Sequence, residues 1–374
     1  MLKLRDNIFY VGVKDNAVGA NNNAYLVMGE KTALIDTVSA KLSQEYIKNI
    51  EEIMPVSEID YLVCNHSEPD KSGAVKRILE INPDIEIIGT IAAIRNLKEI
   101  TNMTFNEHIA KDGATLDLGN GTELQFCIVP NLNWPDTMVT YETQSKTLFS
   151  CDMFAAYCDG EADNGYENAL KEYYNRFLSP FGGFVQRAVE KISSFDIQLI
   201  CTGYGAVIEK YISAVMADYK KWSAAADSGI KTITIINASR YGGTAKMADV
   251  IEHTLKKNGL NVKVLTEVNE NTAETLNNSD ALIFGAPTEN KNAPDEIRSA
   301  ISKLSPMSVK GKPYFVFGSY GWSGEGAQLV YDYLKLLKMK PFEKPFSVYF
   351  TPSDSDIDEL KEYTERFSDM IENI

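Results

Sequence analysis

The segment 231–255 constrains the fold more than any other part of the chain, because a strand, a loop and a helix follow one another there without interruption. Its first residues are rich in branched apolar side chains, a pattern typical of a buried strand. A loop of Ser, Gly and Thr residues follows at 239–244, and apolar residues then recur at helical spacing as far as Leu255. The segment therefore predicts the first strand–loop–helix unit of an α/β domain.

The loop 239–244 has the composition of an anion-binding site. Free backbone N–H groups and the helix dipole meet at the beginning of a helix. Ser239 and Thr244 add hydroxyl donors, while Gly242 and Gly243 let the backbone approach a ligand closely. Neither a Walker-type lysine nor the G-x-G-x-x-G spacing is present, so the pattern favours a phosphate monoester over a nucleoside triphosphate or a dinucleotide. An ordinary glycine-containing turn is the simpler alternative.

Two more predicted strands end in loops of similar character. Residues 280–285 lead into the polar loop 286–290, and residues 313–318 lead into the glycine- and aromatic-rich loop 319–326. Because the carboxyl ends of parallel strands lie on one edge of an open sheet, we expect the three loops to form one crevice there.

This arrangement resembles flavodoxin, and the resemblance implies bound FMN. It implies that the phosphate is held by the first loop: Ser239, Arg240, Tyr241, Gly242, Gly243 and Thr244. It implies that the flavin ring is lined by the other two loops: Pro287, Thr288, Glu289, Asn290, Ser319, Tyr320, Gly321, Trp322, Gly324 and Gly326. Tyr320 or Trp322 is expected against a face of the ring, with core packing as the alternative for Trp322.

Composition limits the environment and the partners. The chain has 374 residues, which suggests two or three domains, and its formal charge of −15 argues against nucleic acid and anionic membranes as partners. Five cysteines without a C-x-x-C pair are typical of reduced thiols and leave no ligand set for a rubredoxin or iron–sulfur module. The first residues lack a signal-peptide pattern, and no apolar run is long enough to span a membrane. We therefore expect a cytoplasmic protein.

In the first half of the chain, predicted strands and helices alternate, and one motif carries chemistry. Directly after the strand that ends at Cys64, His66, Glu68 and Asp70 stand at alternating positions of a loop and can face one point. Imidazole and carboxylate groups suit zinc or iron.

Together with residues 36–37, 133–136, 150–152 and 203–205, this motif resembles the metallo-β-lactamase-like domain. Followed by a flavodoxin-like half, it resembles the flavodiiron proteins, or A-type flavoproteins, over essentially the whole chain. The resemblance implies an α/β fold: an N-terminal αββα metallo-β-lactamase-like sandwich at 1–228, then a flavodoxin-like doubly wound parallel sheet at 229–374. It also implies reduction of O2 or NO at a two-iron centre fed by FMN, usually from the facing subunit of a head-to-tail homodimer, or in a homotetramer.

The ligand set departs from that family. The positions that match retained ligands hold His66, Glu68, Asp70 and the bridging Asp152. Three positions that are histidine in the family hold Lys71, Asn133 and Tyr204. The whole chain contains only three histidines, which are His66, His108 and His253, so a site with four histidines cannot be built.

Three carboxylates around one imidazole require compensation, since like charges about 4 Å apart repel by roughly 4 kcal/mol at an effective dielectric constant near 20. We hypothesise that the Lys71 ammonium pairs with Asp70 or Asp152 and leaves the second metal position empty; the alternative is a solvated surface lysine. Tyr204 could donate its hydroxyl to the carboxylates. The first metal position keeps His66, Glu68 and Asp152, which suffice for one ion of iron or another metal. A metal-free site is nevertheless favoured.

Three functions are compatible with these features. The first is an FMN-dependent electron-transfer flavoprotein whose oxidase centre is lost. The second is an active O2 or NO reductase with a single-metal or non-standard centre, or with a competent partner subunit. The third, a lactamase-type hydrolase or structural module, lacks the H-x-H-x-D-H ligands. No nicotinamide-binding pattern is present, so electrons would come from rubredoxin or an NAD(P)H-dependent reductase.

Overall fold

The computed structural model describes residues 2–16, 19–158, 166–224 and 231–372. The chain divides into two compact units, residues 1–225 and 226–374. The predicted domain boundary at 228 lies outside the described residues. Among the described residues, no helix combines the length and the apolar composition needed to cross a bilayer.

The N-terminal unit is built from strands and helices whose bounds are as follows. The strands are β1 Leu2–Arg5, β2 Ile8–Tyr10, β3 Val13–Asp15, β4 Ala20–Asn22, β5 Tyr25–Met28, β6 Thr32–Ile35, β7 Tyr61–Val63, β8 Glu86–Gly89, β9 Asn106–Ile109, β10 Thr115–Asp117, β11 Glu123–Ile128, β12 Met138–Glu142, β13 Thr147–Cys151 and β14 Leu199–Thr202. The helices are α1 Ser43–Glu51, α2 Pro69–Ser72, α3 Val75–Ile81, α4 Ile91–Thr101, α5 Tyr166–Tyr173, α6 Gly182–Ile192 and α7 Ile212–Ser223, with one turn of π-helix at Tyr174–Leu178.

Two sheets face each other in this unit. One has seven strands in the order β1-β2-β5-β6-β7-β8-β9, and the other has five in the order β10-β11-β12-β13-β14. Their inner faces share one apolar cluster, to which Tyr25 and Val27 contribute from the first sheet and Phe126 and Phe149 from the second. Separate clusters join the outer faces to helices, α1, α3 and α4 on one side and α5, α6 and α7 on the other. The unit is therefore a four-layered αββα sandwich.

The C-terminal unit is a single parallel sheet with helices on both faces. Its strands are β15 Thr232–Asn237, β16 Asn261–Leu265, β17 Ala281–Gly285, β18 Pro313–Tyr320, β19 Lys340–Pro341 and β20 Phe346–Tyr349. Its helices are α8 Gly243–Lys257, α9 Thr272–Asn277, α10 Asp295–Ser302, α11 Pro306–Val309, α12 Glu325–Leu336 and α13 Asp354–Glu372.

Strand order in this sheet is β16-β15-β17-β18, with β19 and β20 both pairing with β18. One apolar cluster packs α10 and α12 against one face, and another packs α8 and α13 against the other. Strand β17 is buried along its whole length, which explains its unbroken apolar sequence. The order of the strands changes direction between β15 and β17, because β16 lies on one side of β15 and β17 on the other, so the carboxyl ends of β15 and β17 form the crevice expected of a doubly wound fold.

The predicted fold class is confirmed by this architecture, with differences at element ends. The sequence predicts a helix at 206–226, but helix α7 begins only at Ile212, because Ile208 pairs with Ile200 in an antiparallel bridge. Strand β20 was not predicted. It lies beside β18 and carries a loop at the same edge as the loops singled out in the sequence.

The aromatic core of the C-terminal unit offers a test of the fold. Phe315 is fully buried, and its ring meets those of Tyr363 and Phe367 at centroid distances of 5.2 and 4.9 Å. We expect Phe315→Ala to lower the free energy of unfolding of this unit by about 3–5 kcal/mol, measured by urea denaturation. The control is Leu336→Ala at a 77% exposed position, expected to stay within about 0.5 kcal/mol of wild type. Equal effects of the two changes would contradict the assignment of Phe315 to the core.

Candidate functional sites

The phosphate-type loop joins the end of β15 to the beginning of α8. Gly242 has a φ of 85°, in the left-handed region that glycine adopts without strain, and α8 follows directly. Within the described chain, the backbone N–H groups of residues 239–242 donate to no other group. The Ser239 hydroxyl accepts a hydrogen bond from the Ala245 N–H at 3.2 Å and so caps the helix. The unpaired N–H groups at this helix end are suited to an anion.

The space around this loop fits a phosphate. A Cβ atom added to Gly242 would meet nothing within 4 Å, whereas one added to Gly243 would lie 3.0 Å from the Phe350 carbonyl oxygen. The loop is therefore open on one side and closely backed on the other. Thr244 is buried, and its hydroxyl lies 3.0 Å from that of Ser319 at the end of β18.

The second and third loops are joined by hydrogen bonds. Thr288 donates its backbone N–H to the Ser319 carbonyl at 3.1 Å and accepts at its hydroxyl from the Gly326 N–H at 2.9 Å. Asn290 and Lys291, with φ values of 47° and 61°, form the turn that brings Glu289 and Asn292 into a bridge. These contacts fix the loops expected to flank the flavin ring relative to one another.

The aromatic residues of the crevice are largely exposed. Trp322 is 94% exposed and Tyr241 is 100% exposed, so the alternative that Trp322 packs in the core is wrong. Tyr320 packs edge-on against Tyr349, with 5.6 Å between ring centroids. An aromatic side chain left in water at a crevice has apolar surface available for a planar ligand.

A fourth loop, following β20, was missed in the sequence. Phe350 is 61% exposed and adopts a φ of 57°, which is strained for a bulky side chain. Its backbone N–H donates to the Tyr320 carbonyl at 2.8 Å, and Tyr349 packs on the Phe350 ring. The apolar pattern at 346–349, read as a fifth strand of a doubly wound sheet, would have indicated this loop.

In the N-terminal unit, the loop after β7 carries the predicted metal-binding motif. His66 is fully buried, with Nδ1 3.7 Å from Asp152 Oδ2 and Nε2 3.9 Å from Glu68 Oε2. Neither ring nitrogen has a hydrogen-bond partner in the described structure. Burial, followed by the charges of Asp70 and Asp152, raises the pKa of Glu68 to about 7.

Asp36 holds this loop through two hydrogen bonds from Asn65. Its carboxylate accepts from the Asn65 backbone N–H at 2.7 Å and from the Asn65 side-chain amide at 3.0 Å. Burial raises the pKa of Asp36 above its ordinary value. Asp36 therefore orients the loop that contains His66.

Asn133 stands between two of the carboxylates. Its amide nitrogen donates to Asp152 Oδ2 at 2.8 Å and to Glu68 Oε2 at 3.0 Å. The residue has a φ of 69°, a left-handed conformation that asparagine tolerates better than most residues. Two N–H groups thus lie between carboxylates that would otherwise repel each other.

The Lys71 side chain is fully buried, which excludes the solvated alternative, but the predicted pairing is wrong. Its ammonium forms no ion pair with Asp70 or Asp152 in the described structure. It donates instead to Asn22 Oδ1 at 2.8 Å and to the Gly203 carbonyl, and lies 3.5 Å from the centroid of the Tyr204 ring. Burial lowers the pKa of Lys71, while the nearby carboxylates oppose that shift. Two neutral acceptors and the face of an aromatic ring therefore take the place of a carboxylate partner for this ammonium.

Tyr204 contacts both charged neighbours. Its ring faces the Lys71 ammonium, and its hydroxyl donates to Asp70 Oδ2, as hypothesised from the sequence. The ring also packs edge-on against Tyr157, with 5.2 Å between centroids. Burial, with Asp70 as the next cause, raises the pKa of Tyr204 far above its ordinary value, so the hydroxyl keeps its proton.

A pair of metal ions does not fit this arrangement as it stands. Lys71, Asn133 and Tyr204 all offer hydrogen-bond donors, and those of Asn133 and Tyr204 occupy carboxylate oxygens that would face an ion. One ion fits the donor set better, because both His66 nitrogens and one oxygen each of Asp70 and Asp152 are buried without a partner. The candidate ligand groups are His66, Glu68 and Asp70, and His66, Cys151 and Asp152. From the sequence alone, Cys151 is expected to be a small buried apolar residue rather than a ligand.

Comparison with known proteins identifies two domains in this chain. A family model described as ODP family beta lactamase matches residues 20–205, and the flavodoxin model matches residues 235–363. The chain is 36% identical to the flavo-diiron protein FprA2 of Clostridium acetobutylicum, over 99% of both chains. The chain belongs to the flavodiiron protein family.

This flavodiiron protein has further relatives of known name or structure. It is 32% identical to the anaerobic nitric oxide reductase flavorubredoxin of Escherichia coli, over 86% of its own length and 72% of the relative's. The rubredoxin oxygen:oxidoreductase of Desulfovibrio gigas has the same fold, with a TM-score of 0.73 at 24% identity over 100% and 98% of the two chains. The family and the fold class inferred from the sequence are both confirmed.

The position of Asn133 generates a prediction about stability. Asn133→Asp keeps the size and the left-handed backbone preference but replaces two N–H donors by a third charge beside Glu68 and Asp152. We expect the free energy of unfolding to fall by about 2–4 kcal/mol at pH 8, since unscreened carboxylates at contact repel by about that amount. Urea denaturation in the presence of a chelator measures it.

Asn131→Asp is the matched control. Asn131 is also half-buried, with a φ of 63°, and its side chain has no hydrogen bond to these carboxylates. Its effect should stay within about 0.5 kcal/mol. If Asn133→Asp were as harmless as the control, the amide would not be what holds the carboxylates together.

Proposed function

We propose that this chain is an FMN-dependent electron-transfer oxidoreductase of the flavodiiron type that lacks the usual two-iron centre for O2 or NO reduction. The observation that carries the proposal is the hydrogen bonding of Asn133 and Tyr204. At two positions that the family resemblance assigns to histidine ligands, these residues donate hydrogen bonds to the carboxylates of Asp152, Glu68 and Asp70. A carboxylate lone pair that accepts one of these hydrogen bonds is not available to coordinate iron.

Lys71 supports the same proposal through charge. An ammonium is a poor metal ligand, and Lys71 is fully buried, where burial lowers its pKa and the nearby carboxylates oppose that shift. A second cation next to it would be repelled, because charges at short range in a protein interior are weakly screened. Hydrogen-bond donors, together with Lys71 when it is protonated, therefore compensate the carboxylates that two irons would otherwise neutralise.

FMN is proposed to occupy the crevice of the C-terminal half, which we assign to 229–374, with 1–228 as the lactamase-like half. When bound, FMN supplies one- and two-electron transfer. The free N–H groups at 239–242 and the Thr244 hydroxyl would hold its phosphate. The loop that contains Thr288 and the exposed ring of Trp322 would lie along the flavin.

The partners are proposed from chemistry and relatives. Electrons would arrive from a small carrier such as rubredoxin or from an NAD(P)H-dependent reductase, and an acidic chain would favour a donor with a basic contact surface. We propose a head-to-tail homodimer, or a homotetramer of such dimers, in the cytoplasm.

One observation favours a second candidate, an active O2 or NO reductase that uses a single ion. His66 is wholly buried and neither of its nitrogens has a partner, which costs about 1–3 kcal/mol per group unless something occupies that space. His66, Cys151 and Asp152 have ligand atoms close enough together to hold one ion, with Asp70 still bound by Tyr204.

Cofactor content of the purified chain separates these candidates. We expect one FMN per chain, iron far below two per chain after anaerobic reconstitution with ferrous iron, and negligible O2 or NO consumption by the reduced protein. Metal analysis, the visible flavin spectrum and gas electrodes give the readouts. Two irons per chain with rapid O2 or NO consumption would overturn the proposal, whereas one iron with turnover would favour the second candidate.

Restoring the ligands provides a positive control. The triple variant Lys71→His, Asn133→His and Tyr204→His removes the three donors and supplies the imidazoles that the family uses. We expect it to take up more iron than wild type, while FMN content stays the same because the flavin loops are unaltered. Unchanged iron content in a folded triple variant would show that these three residues do not exclude the metal.

A further inference from the structure

We propose that Arg240 acts on the flavin site as a strap between two loops, binding Glu289 and Glu296, and does not bind the phosphate itself. Arg240 lies in the phosphate-type loop, while Glu289 lies in the second loop and Glu296 in the first turn of α10. The inference rests on the proposed function, because it concerns the same FMN site, and assigns Arg240 a positioning role there.

The guanidinium group is shared between the two carboxylates. Towards Glu296, Nη1 lies 2.9 Å from Oε1 and Nη2 lies 3.0 Å from Oε2, a two-pronged arrangement that matches the planar fork of arginine. Towards Glu289, Nε lies 2.6 Å from Oε1, close enough for an ion pair although off-line for a hydrogen bond, and Nη2 lies 3.4 Å from Oε2. Each nitrogen of the guanidinium thus already faces a carboxylate oxygen.

Charge argues against release of Arg240 towards a phosphate. Turning the guanidinium to the ligand would break both ion pairs and leave Glu289 and Glu296 uncompensated near a doubly negative group. The backbone N–H groups at 239–242 and the beginning of α8 already offer donors for that phosphate. Arg240 therefore stays paired with Glu289 and Glu296, because only then does every charged group keep a partner.

The strap links loops that have few other connections. The phosphate-type loop is tied to the end of β18 through the Thr244 and Ser319 hydroxyls, and the second loop through the Thr288 N–H, which donates to the Ser319 carbonyl. The Arg240 pairs connect the first loop to the second directly. A crevice held in its binding conformation loses less entropy when a ligand enters, so removing the strap weakens binding without removing a ligand contact.

The two possible roles of Arg240 predict opposite results. A strap supports the whole crevice, so its loss weakens FMN and riboflavin equally, because riboflavin differs only in lacking the phosphate. A phosphate ligand contributes to FMN alone. Removing a glutamate weakens a strap, but it would free a phosphate-binding arginine and tighten FMN.

The experiment titrates the full-length apoprotein with FMN and with riboflavin, following the quenching of flavin fluorescence. We expect Arg240→Met to raise both dissociation constants by a similar factor, about three- to ten-fold, since partly exposed ion pairs are individually weak. Glu296→Gln should raise both by a smaller factor, and in the Arg240→Met background it should add little. The ratio between the dissociation constants of Arg240→Met and wild type should fall as salt is added, because salt screens the ion pairs of Arg240.

Arg298→Met is the matched control, because Arg298 is equally exposed and pairs with Asp295 on α10 without touching the loops. It should leave both dissociation constants unchanged, and circular dichroism verifies that every variant is folded. The strap is overturned if Arg240→Met weakens FMN but not riboflavin, if Glu296→Gln tightens FMN, or if Arg240→Met resembles the control. Wild-type protein that binds neither flavin would instead refute the proposed function.

Discussion

Compensation of three carboxylates packed around one buried imidazole is the constraint on which the N-terminal site depends. Glu68, Asp70 and Asp152 converge on His66, and a converging set of this kind is stable only with a cation or with proton donors. This chain supplies hydrogen-bond donors at two points. The Asn133 amide lies between Glu68 and Asp152, and the Tyr204 hydroxyl donates to Asp70. These hydrogen bonds therefore lie where the repulsion between the carboxylates would be strongest.

The C-terminal site depends on a different constraint, the edge of a parallel sheet. The carboxyl ends of β15, β17, β18 and β20 place four loops side by side, and hydrogen bonds link each to a neighbour. Donors for an anion and exposed aromatic surface therefore come from different loops of one edge. Every residue of this set belongs to the C-terminal unit, so none of the carboxylates around His66 contributes to it.

Most of the fold was predictable because apolar periodicity reports burial directly. The unbroken apolar sequence of β17 and the strand–loop–helix at 231–255 each define their element locally. Contacts between distant residues were not predictable in the same way. Lys71 selects Asn22 and Gly203, which are 49 and 132 positions away, and no local pattern distinguishes these acceptors from the adjacent Asp70. Arg240 was assigned to the phosphate by its loop, whereas its side-chain direction depends on Glu296, 56 positions later.

The acceptors that Lys71 contacts affect how many metal ions the carboxylates around His66 could hold. Had the ammonium paired with Asp152, it would have occupied the carboxylate that His66 and Asn133 share, and a cation there would have had to displace it. With Asn22, Gly203 and the Tyr204 ring as its neighbours, Lys71 leaves the Asp152 carboxylate to His66 and Asn133. Among the charges near Lys71, Asp70 most strongly opposes the lowering of the Lys71 pKa by burial, although no ion pair joins the two side chains in the described structure. With hydrogen-bond donors of Asn133 and Tyr204 on the carboxylates as well, the geometry opposes a pair of ions more strongly than it opposes one.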